Sequence, residues 1–291
     1  MKYAFISEYT HEHSITLMCQ VLRVSRSGYY RFRRHVPSTR KKANVRLLEE
    51  IRSVHAKSRG IYGSPRVHRE LVKQSHACGR HRVARLMAQE GIVGKICRLA
   101  YRTTTRQSRT AKAAPDLLGR EFTAVRPHQI WTSDITYVWR EEGWLYLAVI
   151  LGVFSRAIVG WATSSQINAE LVCAAFVRAV WQYRPGLRVI FHSDRGSQYT
   201  SKMFRDLLVK QEVPFQQSNG LSCYDNAVTE TFFHTLKAES IAVEHFRTRE
   251  EAHRYLFDYI EVFYNQQPLH SSLGYRTPRE TLQGITNKKA A

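Results

Sequence analysis

The stretch HQIWTSDITYVWREEGWLYLAVILGVFSRAIVGWATS, residues 128–164, decides the fold. Its first part alternates and is rich in β-branched residues. GWLYLAVILGVFSR is an apolar run too β-rich for a helix, and AIVGWATS follows after one basic break. Three strands in quick succession predict an antiparallel meander. Working outward, residues 168–184 predict a helix capped by Asn168, residues 187–194 a strand, residues 200–213 a helix and residues 214–219 a short strand. A Gly-containing loop and a helix over residues 225–240 close the segment. The order β-β-β-α-β-α-β-α predicts a mixed sheet with helices packed on it, an α/β layered architecture. Residues 248–265 predict one more helix, and the tail from Gln266 reads as turns.

The charge is unevenly placed. The whole chain of 291 residues carries +20. Residues 1–120 hold 26 Lys and Arg against 7 Asp and Glu, a balance of +19, whereas residues 121–291 hold 18 against 17, a balance of +1. The first part is therefore built to grip a polyanion, with nucleic acid the leading candidate and a membrane surface or a merely solvated basic face the alternatives. GWLYLAVILGVFS, residues 143–155, is well short of the roughly 20 residues that a spanning helix needs. The N-terminus carries Glu8 and Glu12 and no long apolar block, so no secretion signal is expected. Five cysteines, odd in number and scattered, fit core filling in a reducing cytosol better than a disulfide framework or a zinc site.

In SITLMCQVLRVSRSGYYRFRR, helical spacing of Ile15, Leu17, Met18, Val21 and Leu22 followed by a turn predicts a helix-turn-helix within residues 1–38. Its second helix would present Arg26, Tyr29, Tyr30, Arg31, Arg33 and Arg34 to a DNA groove. A small helical bundle with the tyrosines in its core is the alternative. Residues 39–94 repeat the theme as a second helical DNA-binding module. One helix has Leu47, Leu48, Ile51 and Val54 inward, another follows the Gly60, Gly63 and Pro65 break and carries Arg66, and a third is closed by Gly91. Residues 95–120 read as a basic linker: between Lys95 and Lys112 come Lys95, Arg98, Arg102, Arg106, Arg109 and Lys112 without an acid, either solvated or ordering on phosphate.

Three acids stand where elements end or face inward. Asp134 interrupts the first apolar strand, where burial is costly unless the carboxylate is paired or coordinated. Asp194 ends the fourth strand, in FHSDRGSQYTS, and Glu230 lies in the first turns of the helix over residues 225–240. Each alone has an ordinary reading, since a strand-end Asp commonly caps a turn and a helix Glu commonly faces water. Glu230, His234 and Lys237 fall on one helix face, which sets a cation beside the acid. Asp225, beside Asn226, reads best as a cap.

Asp194 and Glu230 have 35 residues between them. That spacing and the words WTSDITY, HSDRGSQYTS, YDNAVTETFFHTLKAE and YNQQPLHSSLGYRTP resemble the catalytic subunit of bacterial insertion-sequence transposases, in the DDE and retroviral-integrase superfamily. GYY and YGSPRVHREL extend the resemblance over nearly the whole chain. It implies an RNase H-like core over residues 121–240, preceded by all-α helix-turn-helix DNA-binding regions and followed by a C-terminal helix and tail over residues 241–291. It also implies two Mg²⁺ or Mn²⁺ ions on Asp134, Asp194 and Glu230 for in-line displacement at phosphorus. Lys237 would contact DNA near the scissile phosphate, with His192 and Asn226 supporting the acids from behind. Implied partners are the element's terminal inverted repeats, target DNA, further copies of the chain and an upstream-frame DNA-binding protein or fusion. The implied setting is the bacterial cytoplasm, at the nucleoid. One departure is Pro268, where related sequences usually have an arginine. Alternatives to a transposase are an RNase H-like nuclease that cuts without joining and a DNA-binding regulator on an inactive core.

Overall fold

The computed structural model describes residues 1–34, 38–95, 114–119, 121–211, 214–219, 226–241 and 244–289. Five strands, β1 (Ile130–Val138), β2 (Leu145–Gly152), β3 (Ile158–Ser164), β4 (Val189–Ser193) and β5 (Phe215–Asn219), form one sheet in the order β3-β2-β1-β4-β5. β1, β2 and β3 pair antiparallel, as the alternation of the opening stretch predicts. β4 joins β1 in parallel and β5 joins β4 in parallel. The parallel pairs need crossovers. α7 (Ala169–Tyr183) leads into β4, and α8 (Lys202–Val209) connects β4 to β5.

β2 shows why the sheet must be covered on both faces. Ala148 and Ile150 point into a cluster with Trp131, Phe176, Phe191 and Phe204, on the side of α7 and α8. Leu145, Leu147, Val149 and Leu151 point the other way, against α9 (Ala227–Glu239) and α10 (Arg249–Phe257). A strand buried on both sides loses its polar face, which is why this run reads as continuously apolar. α7 lies so close to β3 that a Cβ at Gly160 would stand 2.4 Å from the Ala175 carbonyl oxygen. Each of α7 and α8 starts on a side-chain cap, Asn168 accepting from Leu171 N–H and Ser201 from Phe204 N–H.

Among the described residues, the N-terminal region consists of helices joined by turns. α2 (Ile15–Val21) and α3 (Arg26–Arg33) are each capped by serine and joined by a short turn, as their spacing predicts. They are not a free pair: α1 (Lys2–Glu8), which the sequence reading passed over, inserts Ile6 between Met18, Cys19 and Tyr29. Tyr29 is fully buried and so is a core residue rather than part of a DNA-facing surface. Tyr30, Arg26, Arg31, Arg33 and Arg34 are exposed.

α4 (Thr39–Lys57), α5 (Ser64–Lys73) and α6 (Arg80–Gln89) bury Leu47, Ile51, Val54, Val67, Leu71 and Val83. Leu48, expected inward, is only half-buried. This module shares one apolar cluster with the sheet's outer layer, and polar contacts fasten it there. Arg59 Nη1 meets Asp258 Oδ2 at 2.6 Å, and Tyr62 donates its hydroxyl to the Gln267 carbonyl while accepting from Leu269 N–H. After α10 the chain widens into a π-helical segment, Asp258–Tyr264, that ends at Asn265. Asn265 pairs both ways with the Ile158 backbone, at 2.9 and 3.0 Å, and so extends the free edge of β3 with a side-chain amide. Pro268, three residues further on, is buried. The tail expected to be all turns contains α11 (Pro278–Lys289), where Lys73 of α5 meets Glu280. Most of the basic stretch, residues 96–113, lies outside the described residues.

Candidate active site

β1 and β4 run in parallel with Thr132 opposite His192. Two residues further on, on the same face of each strand, come Asp134 and Asp194. Adjacent strands lie about 4.8 Å apart, so this register sets the two carboxylates side by side where β4 ends. The third acid arrives through α9, whose first turn is pinned to β1. Thr229 Oγ1 bonds Thr132 Oγ1 at 2.7 Å, and the buried Asn226 donates its Nδ2 to the Ser133 carbonyl at 2.9 Å. Glu230, the next residue on that turn, acts electrostatically on Asp134. All three acids are half-buried.

Desolvation is the largest cause of a rise that takes the Asp134 carboxyl to about 8, and the charges of Asp194 and Glu230 add to it. The Ile135 N–H, 2.7 Å from Asp134 Oδ1, and the Lys237 ammonium oppose it. Burial also raises Asp194, against the Gly196 N–H and His192. His192 is buried, with Nδ1 2.9 Å from Ser218 Oγ on β5. Burial lowers the Lys237 ammonium while Asp134 holds it up, and its Nζ lies 4.9 Å from the centre of the Tyr137 ring. Carboxylates crowded at low solvation, with one partly desolvated amine, hold negative charge that a cation must offset.

Oxygen donors predominate here, and Asn226 adds one: its Oδ1 is buried with no hydrogen-bond partner among the described residues. This set has the chemistry of a hard divalent cation site. Among the described residues, no three carboxylate, imidazole or thiol side chains converge closely enough to hold a metal ion by themselves. The fit therefore rests on donor chemistry and mutual repulsion.

Sequence reasoning missed two contributors. Tyr199, fully buried, holds its hydroxyl 2.8 Å from Ser133 Oγ, and burial together with the charges of Asp134 and Asp194 keeps that phenol protonated. Its place five residues after Asp194 in HSDRGSQY was the available signal. Gly196 is the other: its N–H donates to Asp194 Oδ1 at 3.0 Å, and a Cβ there would stand 2.9 Å from that oxygen. Gly196→Ala is expected to displace the Asp194 carboxylate and to lower DNA cleavage about a hundredfold, with a melting temperature close to that of the unmodified chain. Cleavage rates and melting curves of the two proteins check this.

The remaining candidates lie elsewhere. Arg26, Arg31, Arg33 and Arg34 are on α3, in the N-terminal bundle. Arg66 faces inward, with its guanidinium over the Tyr62 ring and 3.7 Å from Glu239 at the far end of α9, which leaves it less free for phosphate than its sequence context suggests. Asp225 lies outside the described residues.

A family model for the integrase core domain matches residues 124–218, and a second integrase core model matches residues 230–280. A model for an HTH-like domain matches residues 42–100. The transposase InsF of insertion sequence IS3A from Escherichia coli is 38% identical over 282 residues, covering 96% of this chain and 98% of its own. The chain belongs to the insertion-sequence transposases of the DDE superfamily. A 31 kDa protein of insertion element IS600 from Shigella sonnei is 41% identical to this transposase over 261 residues, with 90% of this chain and 96% of that protein covered. Among solved structures, the catalytic core of HTLV-2 integrase in complex with magnesium is similar at 15% identity and a TM-score of 0.42, over 55% of the transposase and 99% of that chain. As a DDE transposase the protein is a metal-dependent polynucleotidyl transferase that acts on DNA, with an RNase H-like integrase core. None of its described helices is long and apolar enough to cross a membrane.

Proposed function

We propose that this transposase cleaves the ends of its own element and joins them to target DNA, with a pair of Mg²⁺ or Mn²⁺ ions held by Asp134, Asp194 and Glu230. The observation that carries the reading is the parallel register of β1 and β4 together with the bonds that pin the start of α9 to β1, which bring Asp194 and Glu230 near enough to act on the Asp134 carboxyl. Bound divalent cations would activate the attacking oxygen and neutralise charge developing at phosphorus. The chain's own residues do the rest. Asn226 and Thr229 fix the start of α9 against β1, which brings Glu230 within electrostatic range of Asp134. Gly196 N–H and His192 steady Asp194 in its ionised form. Lys237 offers an ammonium to a phosphate next to the acids. The exposed Arg26, Arg31, Arg33 and Arg34 of α3 take the phosphate backbone of the terminal repeat. The working complex would be a multimer on DNA at the nucleoid, with an upstream-frame DNA-binding protein as partner or fusion.

Cleavage and strand transfer on DNA bearing the element's terminal repeats, with Mg²⁺, test this reading. Nicks at the repeat boundary and joined products are expected. Cutting without joined products would leave a nuclease. Replacing Arg31 and Arg33 together by Gln is expected to weaken DNA binding and to flatten its logarithmic salt dependence by about 1 for each lost phosphate contact. Binding isotherms at a series of salt concentrations check this, and an unchanged slope removes α3 from the interface.

A further inference from the structure

The hairpin between β1 and β2, which begins five residues after Asp134, carries an exposed aromatic group that the proposed chemistry does not use. Trp139 is 61% exposed and Trp144 42% exposed. Their rings meet edge to face with centroids 4.8 Å apart, and Trp144 meets Tyr137 in the same way at 4.9 Å. Tyr137 in turn lies under Lys237, and Lys237 feels the charge of Asp134. A chain of ring contacts therefore runs from two solvent-facing indoles to Tyr137 and the Lys237 ammonium, which lies within electrostatic range of Asp134. Large exposed aromatics are costly to leave in water, and these two are braced against each other rather than folded into the core.

The charges around the platform select its occupant. Glu141 and Glu142 are exposed at the hairpin tip, so a phosphate is disfavoured there. Glu142 is held by Arg249, whose backbone N–H meets Oε2 at 2.9 Å and whose guanidinium meets the carbonyl at 3.1 Å, which stiffens the turn. At the root of the hairpin the side chain of Arg140 is buried, one of its nitrogens donating to the Val138 carbonyl while Nε and Nη2 have no partner among the described residues. Phosphate is thus favoured at Lys237, and an uncharged flat group at the indoles. A DNA strand offers both in that order, a phosphate and then its neighbouring base.

We propose that Trp139 and Trp144 form a stacking platform for an unpaired nucleobase of the DNA strand whose phosphate lies at the acids. This rests on the DNA-processing reading above. Within a duplex the faces of each base are covered by stacking on the neighbouring pairs, so the platform takes a base only where the duplex end is frayed or single-stranded, and stacking on aromatic side chains is largely indifferent to sequence. The platform would favour melted over paired DNA at the site of reaction.

The test uses the full chain and two DNA probes: a blunt duplex, and the same duplex with a short single-stranded 3′ extension carrying 2-aminopurine, whose fluorescence falls on stacking. The unmodified chain should bind the extended probe more tightly than the blunt one and quench its fluorescence. Trp139→Ala and Trp144→Ala should each lose roughly tenfold in affinity for the extended probe, lose the quenching, and bind the blunt duplex as before. Trp139→Phe should recover most of both. Equal binding of both probes by all variants overturns the platform. So does equal loss on both probes, which would mark a general phosphate contact or a folding defect. A change in sedimentation of the Ala variants without DNA also overturns it, in favour of an interface between copies of this chain. If the unmodified chain binds neither probe, the DNA-processing reading falls with it. If that chain binds and cleaves element ends while the variants match it throughout, only the platform falls.

Discussion

Asp134→Asn is expected to abolish cleavage, lowering it by about a thousandfold or more, while leaving DNA affinity within a factor of about two. The amide keeps the shape and hydrogen-bonding reach of the carboxylate but removes the charge that a divalent cation needs, so an architectural role for this residue predicts little change and a ligand role predicts collapse of the rate. Asp194→Asn and Glu230→Gln should behave alike, because the three share one function. Parallel assays of cleavage and of binding to the terminal-repeat DNA separate the two properties. A variant that cuts at the normal rate removes that residue from the site.

The same carboxyl makes the cation-free protein pH-sensitive. Asp134 is ordinarily near 3.8 and is pushed to about 8 in the folded chain, so the folded state keeps a proton that the unfolded chain releases. Its contribution to stability is fully present below about pH 4, declines as pH rises through the interval up to about 8, and is gone above it. In chelator, Asp134→Asn should therefore melt with the unmodified protein at pH 4 and about 5 °C or more above it at pH 8, allowing for solvent that screens the half-buried group. Mg²⁺ should raise the melting temperature of the unmodified protein at pH 8 and do much less for the variant. Melting curves with and without Mg²⁺ across this range decide it. Parallel curves for the two proteins would mean that Asp134 is not held in a destabilised ionised state.

The sheet was readable because its strands announce themselves locally. Residues 128–164 alternate or run apolar in pieces of strand length, and Asn168 and Ser201 punctuate the helices between later strands. α1 and α11 escaped because neither carries a strong period: α1 buries only Ile6, and α11 begins at a proline after a turn. Tyr29 and Arg66 illustrate a different limit. In sequence both belong to basic, aromatic segments suited to DNA, and only the packing of α1 over Tyr29 and the approach of Glu239 to Arg66 show where each side chain goes.

The strands and helices of residues 128–240, their order, the uneven charge and the choice of three candidate acids were legible in the sequence alone, since they depend on neighbours a few residues apart and on side-chain chemistry. Tertiary structure decided the rest. Parallel pairing of β1 with β4 sets Asp134 beside Asp194, and the bonds from Asn226 and Thr229 to β1 bring Glu230 within electrostatic range. Docking of α4–α6 onto the sheet's outer layer and the aromatic pair on the β1–β2 hairpin likewise exist only in the fold. The reason is the range of the forces: local backbone preference acts over a turn or a strand, whereas desolvation and charge repulsion at Asp134 act through space between residues far apart along the chain.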